Sequence, residues 1–192
     1  MNRKIKIQVI QKAIQVLNNG GVILYPTDTI WGIGCDANNE TAIKKVYSIK
    51  NRSNKKSLII LVPDKNLLLN YVKNVPYVAE KIIEEDQTPT TMIYQNPINL
   101  PNTLIKNKTI AIRVVKKHGI NMLLTHFGKA LTSTSANISD SKSPLYFEDI
   151  HDDIKNAVDY IIPKTFNKHN TTNKASQIIK INNDETIDII RN

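Results

Sequence analysis

The chain has 192 residues, of which 41% are hydrophobic, and it carries a formal net charge of +9. This length and apolar content are enough to bury one sizeable core, so we expect a single domain over residues 1–192. The lone cysteine, Cys35, excludes an internal disulfide framework and is expected to be a small buried side chain, while four histidines without metal-ligand spacing give no zinc motif. No run approaches the roughly 20 apolar residues of a membrane span, which predicts a soluble cytoplasmic protein without a membrane partner.

Helices and strands alternate along the first half of the chain. Apolar residues from Ile7 to Leu17 recur at helical spacing, and Gly20 supplies the left-handed residue that often follows a helix end. In chain order, the pattern predicts a helix up to about Asn18, a strand over Val22 to Tyr25, a helix beginning after Asn39, a strand over Ser57 to Val62, helices over Asp64 to Lys73 and Pro76 to Glu85, and a strand over Thr90 to Tyr94.

The second half continues the alternation. It predicts a strand over Thr109 to Val115, a helix over Asn121 to Phe127, an extended segment over Ala130 to Thr132, a polar loop over Ser133 to Pro144, a helix over Phe147 to Asn156, and strands over Val158 to Ile162, Ser176 to Ile181 and Thr186 to Ile190. The segment from Lys164 to Lys174 offers almost nothing to bury, which predicts a mobile flap or lid. Together these elements indicate an α/β architecture with a largely covered sheet.

The first motif of chemical interest follows the first predicted strand. Pro26 biases the chain toward an extended conformation, and Thr27 to Thr29 then offer hydroxyls and a carboxylate at a strand end, where α/β folds usually bind ligands. Gly32 and Gly34 would allow backbone to come close to a ligand. An ordinary strand, turn and strand would suit the same residues.

A second motif places Lys50 and Arg52 at the end of the second predicted helix, with Lys56 shortly after them. Such cations can converge on phosphate or carboxylate oxygens. Positive charge at a helix C-terminus is also favoured by the helix dipole, so a solvated helix end remains an alternative.

A third motif, Ser133 to Asn137, follows a short apolar strand and offers hydroxyls and an amide to a nucleotide, although such residues are also common in turns. The sequence contains neither a Walker motif nor a G-x-G-x-x-G motif. It also shows no obvious catalytic triad. The absence of a triad suits adenylation, a reaction in which an enzyme mainly orients its reactants and neutralises charge with cations, amides and a divalent ion.

Taken in order, the motifs of the chain resemble those of the YrdC/Sua5 family. They are Pro26-Thr27-Asp28-Thr29, Gly32-Ile33-Gly34-Cys35-Asp36, Lys50-Asn51-Arg52 with Lys56, Thr109-Ile110-Ala111-Ile112-Arg113, Ser133 to Asn137, Ser176-Gln177-Ile178-Ile179 and Ile189-Ile190-Arg191. The resemblance covers almost the whole chain. It implies a short, single-domain form of a YrdC-like twisted mixed sheet, with covering helices and a concave basic cavity.

The resemblance also implies an activity, the synthesis of threonylcarbamoyl-adenylate. In this reaction the amine of threonine captures bicarbonate as a carbamate, which attacks ATP and releases pyrophosphate, with Mg²⁺ accompanying the nucleotide. The product would pass to a separate transferase that modifies the adenosine beside the anticodon in tRNAs reading ANN codons.

Residue roles follow from the same resemblance. Threonine would contact Thr29, Arg113 and Ser133. ATP would be surrounded by Arg52, Lys56, Thr109, Ser135, Ser143, Ser176 and Arg191, with Asn137 supporting the serine loop in the ATP site. Lys50 and Arg52 would be the catalytic cations, which stabilise bicarbonate, the carbamate and the departing phosphates.

The chain departs from the family pattern mainly on the threonine side. Leu61 stands where some relatives have a histidine, and Val115 to His118 replace the P-x-H-P that usually follows the arginine. Ser53 and Ser57 replace prolines near the cationic motif.

Two other functions remain as alternatives at this point. An RNA-binding module would suit the charge of +9, although aromatic residues for base stacking are scarce at 6%. A paralogue that keeps the fold without synthase activity is the other alternative, against which the intact Lys50, Arg52 and Ser133 to Asn137 speak.

Overall fold

The structure is a computed structural model that describes residues 1–51, 53, 57–85, 88–116, 119–139, 141–166, 174–182 and 184–192. Two predicted site residues, Arg52 and Lys56, lie outside these described residues. The same holds for residues 167–173, which form most of the predicted flap. Within the described ranges, no helix combines the length and the apolarity needed to cross a lipid bilayer.

The helices and strands follow the predicted alternation. The helices are α1 Arg3–Asn18, α2 Glu40–Ile49, α3 Lys65–Leu68, α4 Tyr77–Glu85, α5 Gly119–Phe127 and α6 Asp152–Ala157. The strands are β1 Ile23–Tyr25, β2 Gly32–Gly34, β3 Ile59–Val62, β4 Thr90–Gln95, β5 Thr109–Val114, β6 Leu131–Ser135, β7 Tyr160–Ile161, β8 Gln177–Ile181 and β9 Ile187–Arg191. Short 3₁₀ turns lie at Phe147–Asp149 and Lys164–Phe166.

Polar residues set the starts of three helices. The side-chain oxygens of Asn2, Asn39 and Asp64 accept hydrogen bonds from backbone N–H groups in the first turns of α1, α2 and α3. These bonds satisfy donors that a helix start otherwise leaves without partners. After α1, Gly20 takes a φ of +75°, and its N–H donates to the Leu17 carbonyl at 3.0 Å.

Among the described residues, nine strands form one mixed sheet in the order β7-β1-β2-β6-β3-β5-β4-β8-β9. The pairs β1 with β7, β3 with β5 and β4 with β8 are parallel, and the other neighbours are antiparallel. The predicted mixed α/β sheet is therefore confirmed.

Helices cover both faces of the sheet. One apolar cluster packs residues of α2, α4 and α6 against strand residues such as Leu24 and Ile60. A second cluster packs α1 and α5 against Tyr25, Leu61 and Leu131. Because successive strand residues point to opposite faces, these two clusters lie on opposite sides of the sheet.

The face covered by α1 and α5 also carries the polar residues of interest. Arg113 lies beside Leu61 in the register of β3 and β5, and Ser133 lies beside Ile59 in the register of β3 and β6. Residues paired in this way share a face of the sheet. The register therefore puts Arg113 and Ser133 on one surface.

Some predicted boundaries were wrong. Ser133 and Ser135 belong to strand β6 and not to a polar loop, because β2 and β3 supply hydrogen-bonding partners on both sides. The helix predicted from Asp64 to Lys73 is limited to α3, and the helix predicted from Phe147 to Asn156 is a 3₁₀ turn followed by α6. In the predicted flap, Phe166 is buried against the second cluster.

The role predicted for Gly34 was also wrong. A methyl group on Gly34 would lie 1.8 Å from the carbonyl oxygen of Thr132, in the neighbouring strand β6. The absence of a side chain at Gly34 thus allows β2 and β6 to approach each other, and does not serve the approach of a ligand. Gly32, by contrast, lines the cleft described below.

We expect Gly34→Ala to lower the free energy of unfolding by about 3 kcal/mol, because the added methyl group overlaps backbone in a packed sheet. The measurement is urea denaturation followed by circular dichroism. Gly128→Ala is the control, since Gly128 has a positive φ of +69° but open space around it. Its expected loss is about 1–2 kcal/mol, from the left-handed backbone alone. Equal losses in both variants would contradict the steric explanation.

Candidate active site

A cleft of about 210 Å³ opens on the sheet face that carries Arg113 and Ser133. Its wall includes most of the predicted site residues that the structure describes, namely Thr29, Arg113, Ser133, Ser135, Ser143, Ser176 and Arg191. These residues come from six separate segments of the chain. The fold therefore gathers distant predicted positions into one place.

Three of the predicted site residues that the structure describes do not line this cleft. Thr109 lies at the other end of β5 from Arg113, and its hydroxyl donates to the Lys106 carbonyl at 2.8 Å. Lys50 and Asn137 contact the segment that carries Ser135 but are not part of the cleft wall. The predicted ligand contacts of these residues remain predictions.

The wall also contains residues that the motifs did not single out. Trp31, Ile59 and Leu61 give part of the cleft an apolar surface. The sequence could have identified Ile59 and Leu61, because side chains alternate along β3 and these two therefore lie on the face opposite Ile60. Leu61, noted above as a departure from the family pattern, therefore lies in the cleft itself.

The turn between β1 and β2 is held by Thr27. Its hydroxyl donates to the Ile30 carbonyl at 2.6 Å and accepts from the backbone N–H groups of Thr29 and Ile30 at 3.0 and 3.1 Å. The hydroxyls of Thr27 and Thr29 are hydrogen-bonded to each other at 2.8 Å. This network fixes the Thr29 hydroxyl at the edge of the cleft.

Arg113 lies against that turn. One terminal nitrogen, Nη1, donates to the Thr29 hydroxyl at 3.3 Å, and the other, Nη2, forms an ion pair with Oδ2 of Asp28. The Arg113 side chain is only 5% exposed, although it contributes to the cleft wall. A guanidinium stays charged in proteins, so this part of the wall presents fixed N–H donors.

A second arginine lies farther along the sheet. The Nε and Nη2 atoms of Arg191 donate to the Ser176 carbonyl at 3.1 and 2.7 Å. The Ser176 hydroxyl is hydrogen-bonded to Thr91 at 2.8 Å. Burial lowers the pKa of Arg191 below its usual value, but a guanidinium remains protonated at neutral pH. Arg191 lies on β9, which is three strands from β5 in the sheet order, so the backbones of Arg113 and Arg191 lie roughly 14 Å apart, or three strand spacings.

The third polar group surrounds Ser135. Its hydroxyl donates to Oδ1 of Asn137, whose side-chain NH₂ donates to the Ile138 and Ser141 carbonyls at 2.9 and 2.6 Å. The Lys50 ammonium donates to the carbonyls of Ser135 and Asn137. Lys50 is 1% exposed. Lys50 and Asn137 thus stabilise the segment that carries Ser135.

Two buried side chains, Tyr25 and Cys35, contact Thr132 in strand β6. The Tyr25 hydroxyl donates to the Thr132 carbonyl at 3.1 Å, and burial raises the pKa of Tyr25, so the phenol stays neutral. Burial also raises the pKa of Cys35 to about 12, despite a hydrogen bond to Thr132. Cys35 is therefore a buried neutral thiol, as expected, and not a nucleophile.

A protein-family model named Sua5_yciO_yrdC, with the description telomere recombination, matches residues 15–192. The chain belongs to the Sua5/YciO/YrdC family. The resemblance inferred from the motifs is thereby confirmed.

Individual members of the Sua5/YciO/YrdC family are similar over most of the chain. A Methanocaldococcus jannaschii protein, named as a candidate threonylcarbamoyl-AMP synthase, is 35% identical over 98% of this chain and 88% of its own. The threonylcarbamoyl-AMP synthase of Pseudoalteromonas translucida is 32% identical over 80% of this chain and 84% of its own. The structure of P. abyssi Sua5 complexed with L-threonine is 25% identical, with a TM-score of 0.79 over 89% of this chain. This chain spans half the length of that protein.

We expect Lys50→Met to lower the free energy of unfolding by about 2 kcal/mol, because the carbonyls of Ser135 and Asn137 lose their buried donor. Urea denaturation provides the measurement. Lys44→Met is the matched control, since the Lys44 side chain is 68% exposed and pairs with Glu40 in the preceding turn. A surface pair of this kind is worth about 0.5 kcal/mol or less. If both variants were equally stable, Lys50 would not hold the Ser135 segment.

Proposed function

We propose that this chain is a threonylcarbamoyl-AMP synthase, which forms threonylcarbamoyl-AMP and pyrophosphate from L-threonine, bicarbonate and ATP. The observation that carries the proposal is the convergence of Arg113, Arg191 and the hydroxyls of Ser133, Ser135 and Ser176 on one cleft. Relatives that share about a third of its residues have the same named activity, and a related structure holds L-threonine.

In this proposal, the two arginine groups hold different substrates. Arg113, Thr29 and Ser133 bind threonine, with the guanidinium facing its carboxylate. Arg191, Ser176, Ser135 and Ser143 bind ATP along the rest of the cleft wall. The family pattern adds Arg52, Lys56, Thr109 and Asn137 to the ATP contacts. The three strand spacings between Arg113 and Arg191, roughly 14 Å, leave room for the amine of threonine to lie next to the α-phosphate of ATP.

The reaction then needs positioning and charge neutralisation more than acid–base catalysis. The amine of threonine attacks bicarbonate, loses a proton and gives a carbamate with release of water. A carbamate oxygen next attacks the α-phosphorus of ATP, and pyrophosphate leaves. Cations such as Arg52 and Arg191 would neutralise charge on the phosphates, as is usual for such transfers. Lys50 would contribute to the same region by stabilising the segment that carries Ser135.

Magnesium enters the proposal as part of the ATP substrate. The described wall offers hydroxyls and guanidinium groups, and no group of three or more histidine, cysteine or acidic residues lies together among the described residues. Such a wall suits an ion that arrives and leaves with the phosphates. We further propose that the product passes to a separate tRNA threonylcarbamoyl transferase in the cytoplasm.

Purified protein supplied with threonine, bicarbonate, Mg²⁺ and ATP is expected to release pyrophosphate, which a coupled phosphate assay measures. Reactions with serine and without an amino acid are the controls, and threonine should give the highest rate. Release no faster than in the reaction without an amino acid would contradict the synthase proposal. Salt-sensitive RNA binding without ATP consumption would instead support the RNA-binding alternative.

We expect Arg52→Ala to lower kcat at least about 100-fold, because a lost donor to developing charge has this effect in other enzymes. Its melting temperature should stay within a few degrees of the parent protein. Arg3→Ala, on the exposed part of α1, is the matched control and should leave kcat unchanged. A fully active Arg52→Ala protein would remove this residue from the catalytic group, and an unfolded one would make it structural.

A further inference from the structure

Asp28 is a charged residue of the first motif to which the proposed mechanism gives no role. Its carboxylate oxygen Oδ2 is paired with Nη2 of Arg113, and its side chain is 22% exposed. It does not line the cleft, whereas Arg113 does. Any effect of Asp28 on a ligand would therefore act through Arg113.

The contacts of Asp28 distinguish it from a turn-forming residue. The turn between β1 and β2 is held by the Thr27 hydroxyl, which engages Thr29 and Ile30. The second carboxylate oxygen of Asp28, Oδ1, is buried and has no hydrogen-bond partner among the described residues. Among the described residues, Arg113 is thus the hydrogen-bonding partner of the Asp28 side chain.

We propose that Asp28 is a positioning residue, which fixes the Arg113 guanidinium so that its remaining N–H groups face a substrate carboxylate. This inference rests on the proposed function, in which Arg113 binds threonine. A guanidinium has five N–H donors, of which Asp28 and Thr29 engage two. The other three have no partner among the described residues, although the side chain is 95% buried.

The chemistry of the pair explains why a carboxylate is needed. Without Asp28, the described contacts leave Arg113 with one long hydrogen bond, at 3.3 Å, to a neutral hydroxyl. A buried cation without a counterion tends to move toward water. The planar fork of an arginine binds a carboxylate well only in a defined orientation. Asp28 supplies both the countercharge and that orientation.

The test compares Asp28→Asn, Asp28→Glu and the control Asp153→Asn, since the Asp153 side chain is 78% exposed. Steady-state kinetics with threonine and ATP are measured for each variant. We expect Asp28→Asn to raise KM for threonine at least about 10-fold, with kcat lowered less than about threefold and KM for ATP unchanged. Asp28→Glu should recover part of the loss, because glutamate restores the negative charge on a side chain that is one methylene group longer.

A second measurement separates positioning from a structural role. The ratio of kcat/KM for threonine to that for threoninamide, which lacks the carboxylate, should fall in Asp28→Asn by the same factor as the rise in KM for threonine. An Asp28→Asn protein whose KM values for threonine and ATP rise together, with an unchanged ratio, would show a structural role and overturn the proposal. A lower KM for threonine would show that Asp28 competes with the substrate, and would also overturn it.

Threonine binding by isothermal titration calorimetry keeps this inference distinguishable from the proposed function. If the parent protein binds threonine but releases no pyrophosphate, the synthase proposal fails, and a weaker affinity in Asp28→Asn would still support positioning. An unchanged affinity in Asp28→Asn would overturn it. A parent protein that binds no threonine would overturn both proposals.

Discussion

The pairing of β6 with β2 on one side and β3 on the other connects the two parts of the sheet. The turn that carries Thr29 connects β1 and β2 in one part of the sheet, while Arg113 belongs to the other part, which contains β3 and β5. These two residues can meet only if β6 joins the parts in the correct register. The cleft therefore depends on β6 more than on any single side chain.

Several close contacts secure this strand. Gly34 lets the Thr132 carbonyl approach, the Tyr25 hydroxyl donates to that same carbonyl, and the Thr132 hydroxyl accepts from the Cys35 N–H at 2.8 Å. All of these groups are buried, where an unsatisfied polar atom is costly. Polar bonds inside the sheet thus fix the register that apolar packing alone would specify less strictly.

Helices α1 and α2 were predictable because their signals are local. Asn39 lies next to the helix it caps, and the apolar residues of α1 recur at the helical period, so neither depends on a distant part of the chain. Strand β2 entered the sequence analysis only as part of an alternative, an ordinary strand, turn and strand, because Gly32-Ile33-Gly34 has no polar residues to alternate with apolar ones. It is a strand because β1 and β6 lie on either side of it.

The site could be predicted only in part, and for a related reason. The order of the motifs identified most residues that line the cleft, including Arg113, Ser133 and Ser176. The same motifs could not show that the Lys50 ammonium is buried among backbone carbonyls 85 and 87 residues away. Nor could they show that Asp28 pairs with Arg113, because that contact joins the turn after β1 to the distant strand β5.

The two arginines of the cleft are held by acceptors of different charge, and this difference suits the proposed substrates. Arg113 is paired with the carboxylate of Asp28, so the pair has a net charge near zero. Among the described residues, Arg191 is held by the neutral carbonyl of Ser176 and has no carboxylate partner, so it keeps its full positive charge. A zwitterion such as threonine has no net charge and loses little beside a neutral pair, whereas phosphates gain most from an uncompensated cation. The electrostatics of the wall therefore favour an amino acid beside Arg113 and a nucleotide beside Arg191.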